Sequence, residues 1–300
     1  MEQTSQISLR GIYWLSFFGV ILLSWGWLYS LSHSMDMDFF GRMNMPVSDT
    51  AMEAMSASRS MDPMTVTSSE GTQTSGMSQS MDMPMPTDTG VAAALNRFIA
   101  IFGMWAVMMA AMMLPTMVPT LKSYEDLMLS ANGTRAGWLG VVLGYGIVWV
   151  AFAACITAVQ MVLLSLNLID MMGLATSIWL SAALLIAAGA FQFTRAKEIC
   201  HGVCHSPMMY FLGHWKTGFG GGLRMGLGLG AFCVGCCWLF MVLGFAGGVM
   251  NFLWMGLATL FMVFEKLPEI GHRVVRPMGF LLILAGLGLA VWNYHTQGVV

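Results

Sequence analysis

Seven uninterrupted apolar runs set what this chain of 300 residues can fold into. They cover about Gly11 to Leu31, Asn96 to Val118, Gly137 to Leu166, Leu174 to Phe193, Leu223 to Ala246, Met250 to Phe264 and Pro277 to Asn293. A helix needs about 20 apolar residues to cross the hydrocarbon core of a bilayer. Lipid offers no hydrogen bonds, so only helices and closed barrels satisfy their backbone there. Barrel strands would appear as short alternating segments, and these runs do not alternate. The expected fold class is all-α: a polytopic helical membrane protein with about seven transmembrane helices. Charged residues make up 9% of the chain, against about 25% in soluble domains, which excludes an ordinary soluble fold.

The distribution of Lys and Arg predicts the orientation, because short inside loops collect cations. With the N-terminus inside, the inside set is Arg10, Lys122, Arg135, Arg195, Lys197, Lys216, Arg224, Lys266, Arg273 and Arg276. Only Arg42, Arg59 and Arg97 fall outside. The C-terminus is then outside, and the expected location is the bacterial inner membrane. The first run exceeds a signal-peptide core and lacks a small-x-small cleavage site, so it reads as a retained anchor, residues 1–31. Residues 32–95 form a polar extracytoplasmic segment with eight Asp and Glu against Arg42 and Arg59. Apart from methionine it has few large apolar residues to bury, so it is expected to be disordered. Residues 96–300 form a six-helix membrane domain.

That outer segment carries twelve methionines, several in M-x-M pairs: Met35/Met37, Met43/Met45 and Met81/Met83/Met85, with His33 just before the first. A thioether is neutral and soft, so it selects Cu(I) and needs no deprotonation to bind. Met108 and Met112, with Met104, form one i, i+4 row in the second run; Met109 and Met113, with Met117, form the adjacent row. The two rows can carry a soft ion across the membrane. They can equally be packing, since methionine is a flexible core filler.

Gly218, Gly222, Gly226 and Gly230 recur every four residues and make a bare helical ridge that continues into Cys233, Cys237, Met241, Gly244 and Gly248. Small residues at this spacing let a neighbouring membrane helix approach closely, and the Met-lined second run is the expected neighbour. Cys233, Cys236 and Cys237 share one face at i, i+3 and i+4. Thiolates in lipid are costly without a cation, so a bound metal is the functional reading and small-residue packing its competitor. Cys200, His201, Cys204 and His205 offer zinc or copper ligands in the loop after the fourth run, with His214 further on. Two or three of them, completed from another element, is the expected ligand set. The spacing also resembles a stretched c-type haem site, which its inside location argues against. Glu265 and Lys266 close the sixth run, either as functional charges or as an interfacial ion pair.

The joint pattern resembles a prokaryotic domain-of-unknown-function family described as predicted metal-binding integral membrane proteins. It rests on MWAVMMAAMMLP (Met104 to Pro115), Cys200-x3-Cys204-His-Ser-Pro, CVGCCW (Cys233 to Trp238) with Met241 and GGVMN, and Glu265-Lys266, over about Phe102 to Met278. The resemblance implies a membrane metal site and no particular reaction. The Met-rich segment sharpens the metal to Cu(I) for this chain, with zinc as a further possibility at Cys200 and Cys204.

The expected function is capture, transfer or transport of Cu(I), with the metal ion, membrane lipid and a membrane copper enzyme or metallochaperone as partners and no nucleic acid. No P-loop or aspartyl-phosphate motif is present, which disfavours an active pump. Two rival classes stay open: a thiol-redox or electron-transfer membrane protein using the vicinal cysteines, and a non-catalytic subunit or assembly factor of a membrane metalloenzyme.

Overall fold

In the computed structural model the described residues are 2–34, 90–131, 133–170, 173–249, 251–267 and 271–297. They form helices α1 (Glu2–Ser34), α2 (Gly90–Ser130), α3 (Arg135–Ser165), α4 (Ile178–Phe191), α5 (Arg195–His205), α6 (Pro207–His214), α7 (Gly218–Val242), α8 (Gly244–Gly247), α9 (Phe252–Lys266) and α10 (Gly271–Gln297). No strand occurs among the described residues beyond an isolated bridge between Ile169 and Ala175. The chain is an all-α polytopic helical protein.

Among the described residues five segments are long and apolar enough to cross a membrane: Arg10–Ser34, Ala93–Met128, Arg135–Ser165, Gly218–Gly247 and Arg273–Thr296. A sixth arises if α4 and the first part of α5, bent by 66° at their junction, count as one span. The expected sixth run is α9, whose 15 residues extend about 22 Å and fall short of the roughly 30 Å hydrocarbon core. Its C-terminal charges, Glu265 and Lys266, are buried in protein. Lys197 is buried as well, so two of the ten cations assigned to inside loops are core residues rather than loop charges.

Side chains define several helix starts. Thr134 caps α3 by accepting from the Gly137 amide, Thr194 caps α5 by accepting from the Lys197 amide, and Asn251 caps α9 by accepting from the Trp254 amide. Between α8 and α9 the chain reverses at Gly248, whose φ of +89° suits a residue without a Cβ.

A proline inside α2 explains where α1 docks. Pro115 has no N–H, so it cannot donate to the carbonyl of Ala111 four residues earlier. The indole of Trp25 donates to that carbonyl instead, at 3.0 Å. At the other end of the contact Glu125 accepts from Arg10 at 2.8 Å and from Trp14 at 3.0 Å. These pairs run α1 antiparallel to α2.

The glycine ridge of α7 packs on α3, not on the Met-lined α2 as the sequence suggested. A Cβ on Gly222 would collide with the Gly137 carbonyl, and one on Gly226 with the Val141 carbonyl. Further along, one on Gly230 would meet the side chain of Val148 and the backbone of Tyr145. The constant offset of 85 residues between these partners makes α3 and α7 parallel neighbours. The reason is complementary: α3 presents its own glycines, Gly137, Gly140 and Gly144, to the same seam. Methionine side chains on α2 would hold a ridge apart. Of these, Met108 and Met112 instead border a small cavity with residues of α7 and α9.

Candidate metal centre

The loop expected to carry Cys200 to His205 is helix α5, lying against α7. Lys197, His201 and Cys204 recur at i, i+4 and i+7 and are all buried. One helical stripe therefore turns a cation, an imidazole and a thiol inward. The Sγ atoms of Cys204 on α5 and of Cys233 and Cys236 on α7 lie within 4.8 Å of one another, and all three residues are buried. Cys204 and Cys236 are 3.9 Å apart, sulfur to sulfur.

The remaining expected ligands take other places. Cys237 lies outside this group; its sulfur is 3.9 Å from that of Cys233, and its thiol donates to the Cys233 carbonyl at 2.8 Å. Cys200 is half-buried, with its sulfur against Gly235 of α7. His201 faces Glu265, with Nδ1 at 3.3 Å from Oε1. His214 is exposed, its ring stacked on Tyr210. His33 is exposed at the end of α1 and 6.3 Å from the Tyr29 ring. Met35, Met37, Met81, Met83 and Met85, and the His205 side chain, lie outside the described residues.

Two buried cations lie beside the thiol-bearing residues. The ammonium of Lys266 donates to the Cys233 sulfur at 2.9 Å and to the Thr116 hydroxyl at 2.9 Å. Tyr145 closes this arrangement, its hydroxyl 3.1 Å from the same sulfur and 3.4 Å from Thr116 Oγ1. Lys197 donates to the Cys236 carbonyl at 2.7 Å and forms an ion pair with Glu265. Glu265 and Lys266 are therefore not paired with each other, contrary to one of the two sequence readings. Consecutive residues on a helix diverge by about 100°, so Glu265 reaches α5 while Lys266 reaches α2 and α7.

Three grouped thiols can hold a metal ion, and donors of this kind are ligands for copper and zinc alike. Three thiolates around Cu(I) carry a net charge of −2, which a low-dielectric interior tolerates only with compensation. Lys266 supplies one positive charge directly at a candidate ligand. Among the described residues no fourth Cys, His, Asp or Glu joins the group, whereas structural zinc is almost always four-coordinate.

The methionine rows of α2 are buried but part company. Met109 and Met113 line a groove of about 420 Å³ with Tyr145 and Trp149 of α3. Met108 and Met112 face α7 and α9 instead. Lys197, Thr116 and Tyr145 carry no signal in the sequence that marks them as site residues. The nearest is the register of Lys197, four residues before His201 and seven before Cys204.

Residues 102–289 match the model of a protein family described as PpoB2, copper chaperone. That range spans the segment on which the resemblance to predicted metal-binding membrane proteins rests. No curated protein and no solved structure matches the chain.

Proposed function

The chain belongs to the PpoB2 family of copper chaperones, and we propose on that footing that it holds Cu(I) at Cys204, Cys233 and Cys236 within the membrane and passes it to a membrane copper enzyme. The observation that carries this reading is the convergence of three thiol sulfurs from two helices within 4.8 Å. Soft thiolate donors favour Cu(I), and the buried Lys266 offsets the charge of the resulting complex. The copper is cargo, so a site with three ligands and flanking cations suits it better than a closed four-coordinate cage. The methionine-rich segment 35–85 supports an extracytoplasmic capture step, since thioethers bind Cu(I) without competing protons. The bias of Lys and Arg toward the other loops supports a reading with that segment outside and the N-terminus inside, in a bacterial inner membrane.

The test is a competition titration of the purified full-length protein with Cu(I) and a chromogenic Cu(I) chelator under anaerobic conditions. The parent protein is expected to withdraw copper from the chelator. The chain carrying Cys204→Ser, Cys233→Ser and Cys236→Ser together is expected to withdraw one equivalent less. Equal withdrawal by both would rule out the thiol cluster as the copper site.

A further inference from the structure

One turn beyond the thiols, α7 contributes Met241 to a small cavity also lined by Met108 and Met112 of α2 and Met255 of α9. We propose that this cavity is a second, thioether-only Cu(I) site. Four methionines from three helices surround a space of about 20 Å³. That is room for a single water or small ion, since a water needs at least about 10–15 Å³ by this measure. A water there would find at most one side-chain donor, the Trp254 indole, because no charged, hydroxyl or amide side chain lines the space. It needs two to four polar contacts to be held. Methionine adapts its torsions to fill irregular gaps, so four of them left around one ion-sized opening argue against simple packing.

The other walls fit a cation as well. Phe240 and Trp254 border the cavity, and aromatic faces attract a desolvated cation by about 2 kcal/mol. No carboxylate is present to recruit Zn(II), Ca(II) or Mg(II), all of which prefer harder or charged donors. The neutral donor set binds a soft monovalent ion and leaves its charge uncompensated. The thiol site next to it compensates that charge, so copper moves downhill from thioether to thiolate. Cu–thioether bonds break and Cu–thiolate bonds form, the metal stays Cu(I), and thiol protons leave to solvent as the sulfurs coordinate.

The position in the fold supports an order of use. Antiparallel α1 and α2 bring Ser34 and Gly90, the two ends of the Met-rich segment, to the same end of the molecule. From that end, α2 passes Met108 and Met112 before it reaches Thr116 beside Lys266 and Cys233. The thioether cavity therefore lies between the end of the molecule that carries Ser34 and Gly90 and the thiols.

This inference rests on reading the chain as a Cu(I) carrier, and its test separates the two sites. The full-length protein is loaded with Cu(I) in the presence of a competing chelator, and the copper-to-protein ratio is measured. Met241→Leu with Met255→Leu is expected to lower the ratio by one equivalent relative to the parent. The outer segment is common to both chains and cancels in the difference. Leucine conserves volume at these positions, and Met108→Leu with Met112→Leu is expected to give the same loss from the other wall. An unchanged ratio in both pairs overturns the proposal. If the triple cysteine variant keeps all its copper while both methionine pairs lose one, the thiol reading fails and this one stands.

Discussion

The ammonium of Lys266 lies 2.9 Å from the sulfur of Cys233, so the residue beside this candidate ligand is a buried cation and not a carboxylate. In a protein interior such a cation stabilises an anionic metal–thiolate complex more than it would in water. Lys266→Met is expected to weaken Cu(I) binding about 10- to 100-fold, the usual cost of removing a partner that supports a metal ligand. The loss of fold stability should be small, because Thr116 keeps its bond to the Met113 carbonyl and the Tyr145 hydroxyl stays within reach of both Thr116 and Cys233. Chelator competition checks the first expectation and thermal unfolding in detergent the second. Unchanged affinity would remove Lys266 from the metal centre.

Cys204 and Cys237 make opposite predictions for the third ligand. On α7 alone Cys237 completes a row with Cys233 and Cys236, but the grouped sulfurs include Cys204 in its place. Cys204→Ser is expected to reduce Cu(I) affinity by at least tenfold, and Cys237→Ser by much less. X-ray absorption on the Cys204→Ser protein should show one sulfur fewer around copper than in the Cys237→Ser protein. The reverse ranking would return the site to α7 alone.

Lys197 and Glu265 form an ion pair with almost no solvent contact. Glu265→Gln leaves the Lys197 charge buried without its counterion, at an expected cost of about 3–5 kcal/mol. Replacing both, as Lys197→Met with Glu265→Leu, removes the stranded charge and is expected to recover most of that loss. Denaturant unfolding of the three proteins measures this. A double variant as unstable as the single one would mean that the pair contributes beyond its own charge balance, for example by holding the Cys236 carbonyl.

Gly226 on α7 and Gly146 on α3 meet different surroundings. A side chain at Gly226 runs into the Val141 backbone, while one at Gly146 meets nothing within 4 Å. Gly226→Val is expected to destabilise by about 1–3 kcal/mol or more, through separation of α3 and α7. Gly146→Ala is expected to stabilise by about 0.5–1 kcal/mol through helix propensity. Thermal midpoints of opposite sign relative to the parent would bear this out, and a tolerated Gly226→Val would contradict the close seam.

Local sequence was a good guide wherever a property is carried by one helix. Long apolar runs exclude a soluble fold, the four-residue glycine spacing announces a close helix contact, and vicinal thiols announce soft-metal chemistry. It was a poor guide to partners. The glycines of α3 mark the seam as plainly as those of α7, and these small residues, not the methionine rows of α2, set the neighbour. The segment Cys200 to His205 is readable as a ligand supplier completed from elsewhere, but not as a helix that brings Cys204 into one group with Cys233 and Cys236.

By itself, then, the sequence determined the all-α membrane class, the small-residue ridge and the stock of soft donors, because burial in lipid and helical periodicity act on neighbouring residues. Only the tertiary structure decided which donors meet. Cys204 joins Cys233 and Cys236 across about 30 residues, Lys266 reaches Thr116 across 150, and adjacent Glu265 and Lys266 part toward different helices. A helix turns successive side chains by about 100°, so the packing of each face, and not its order in the chain, selects its partner.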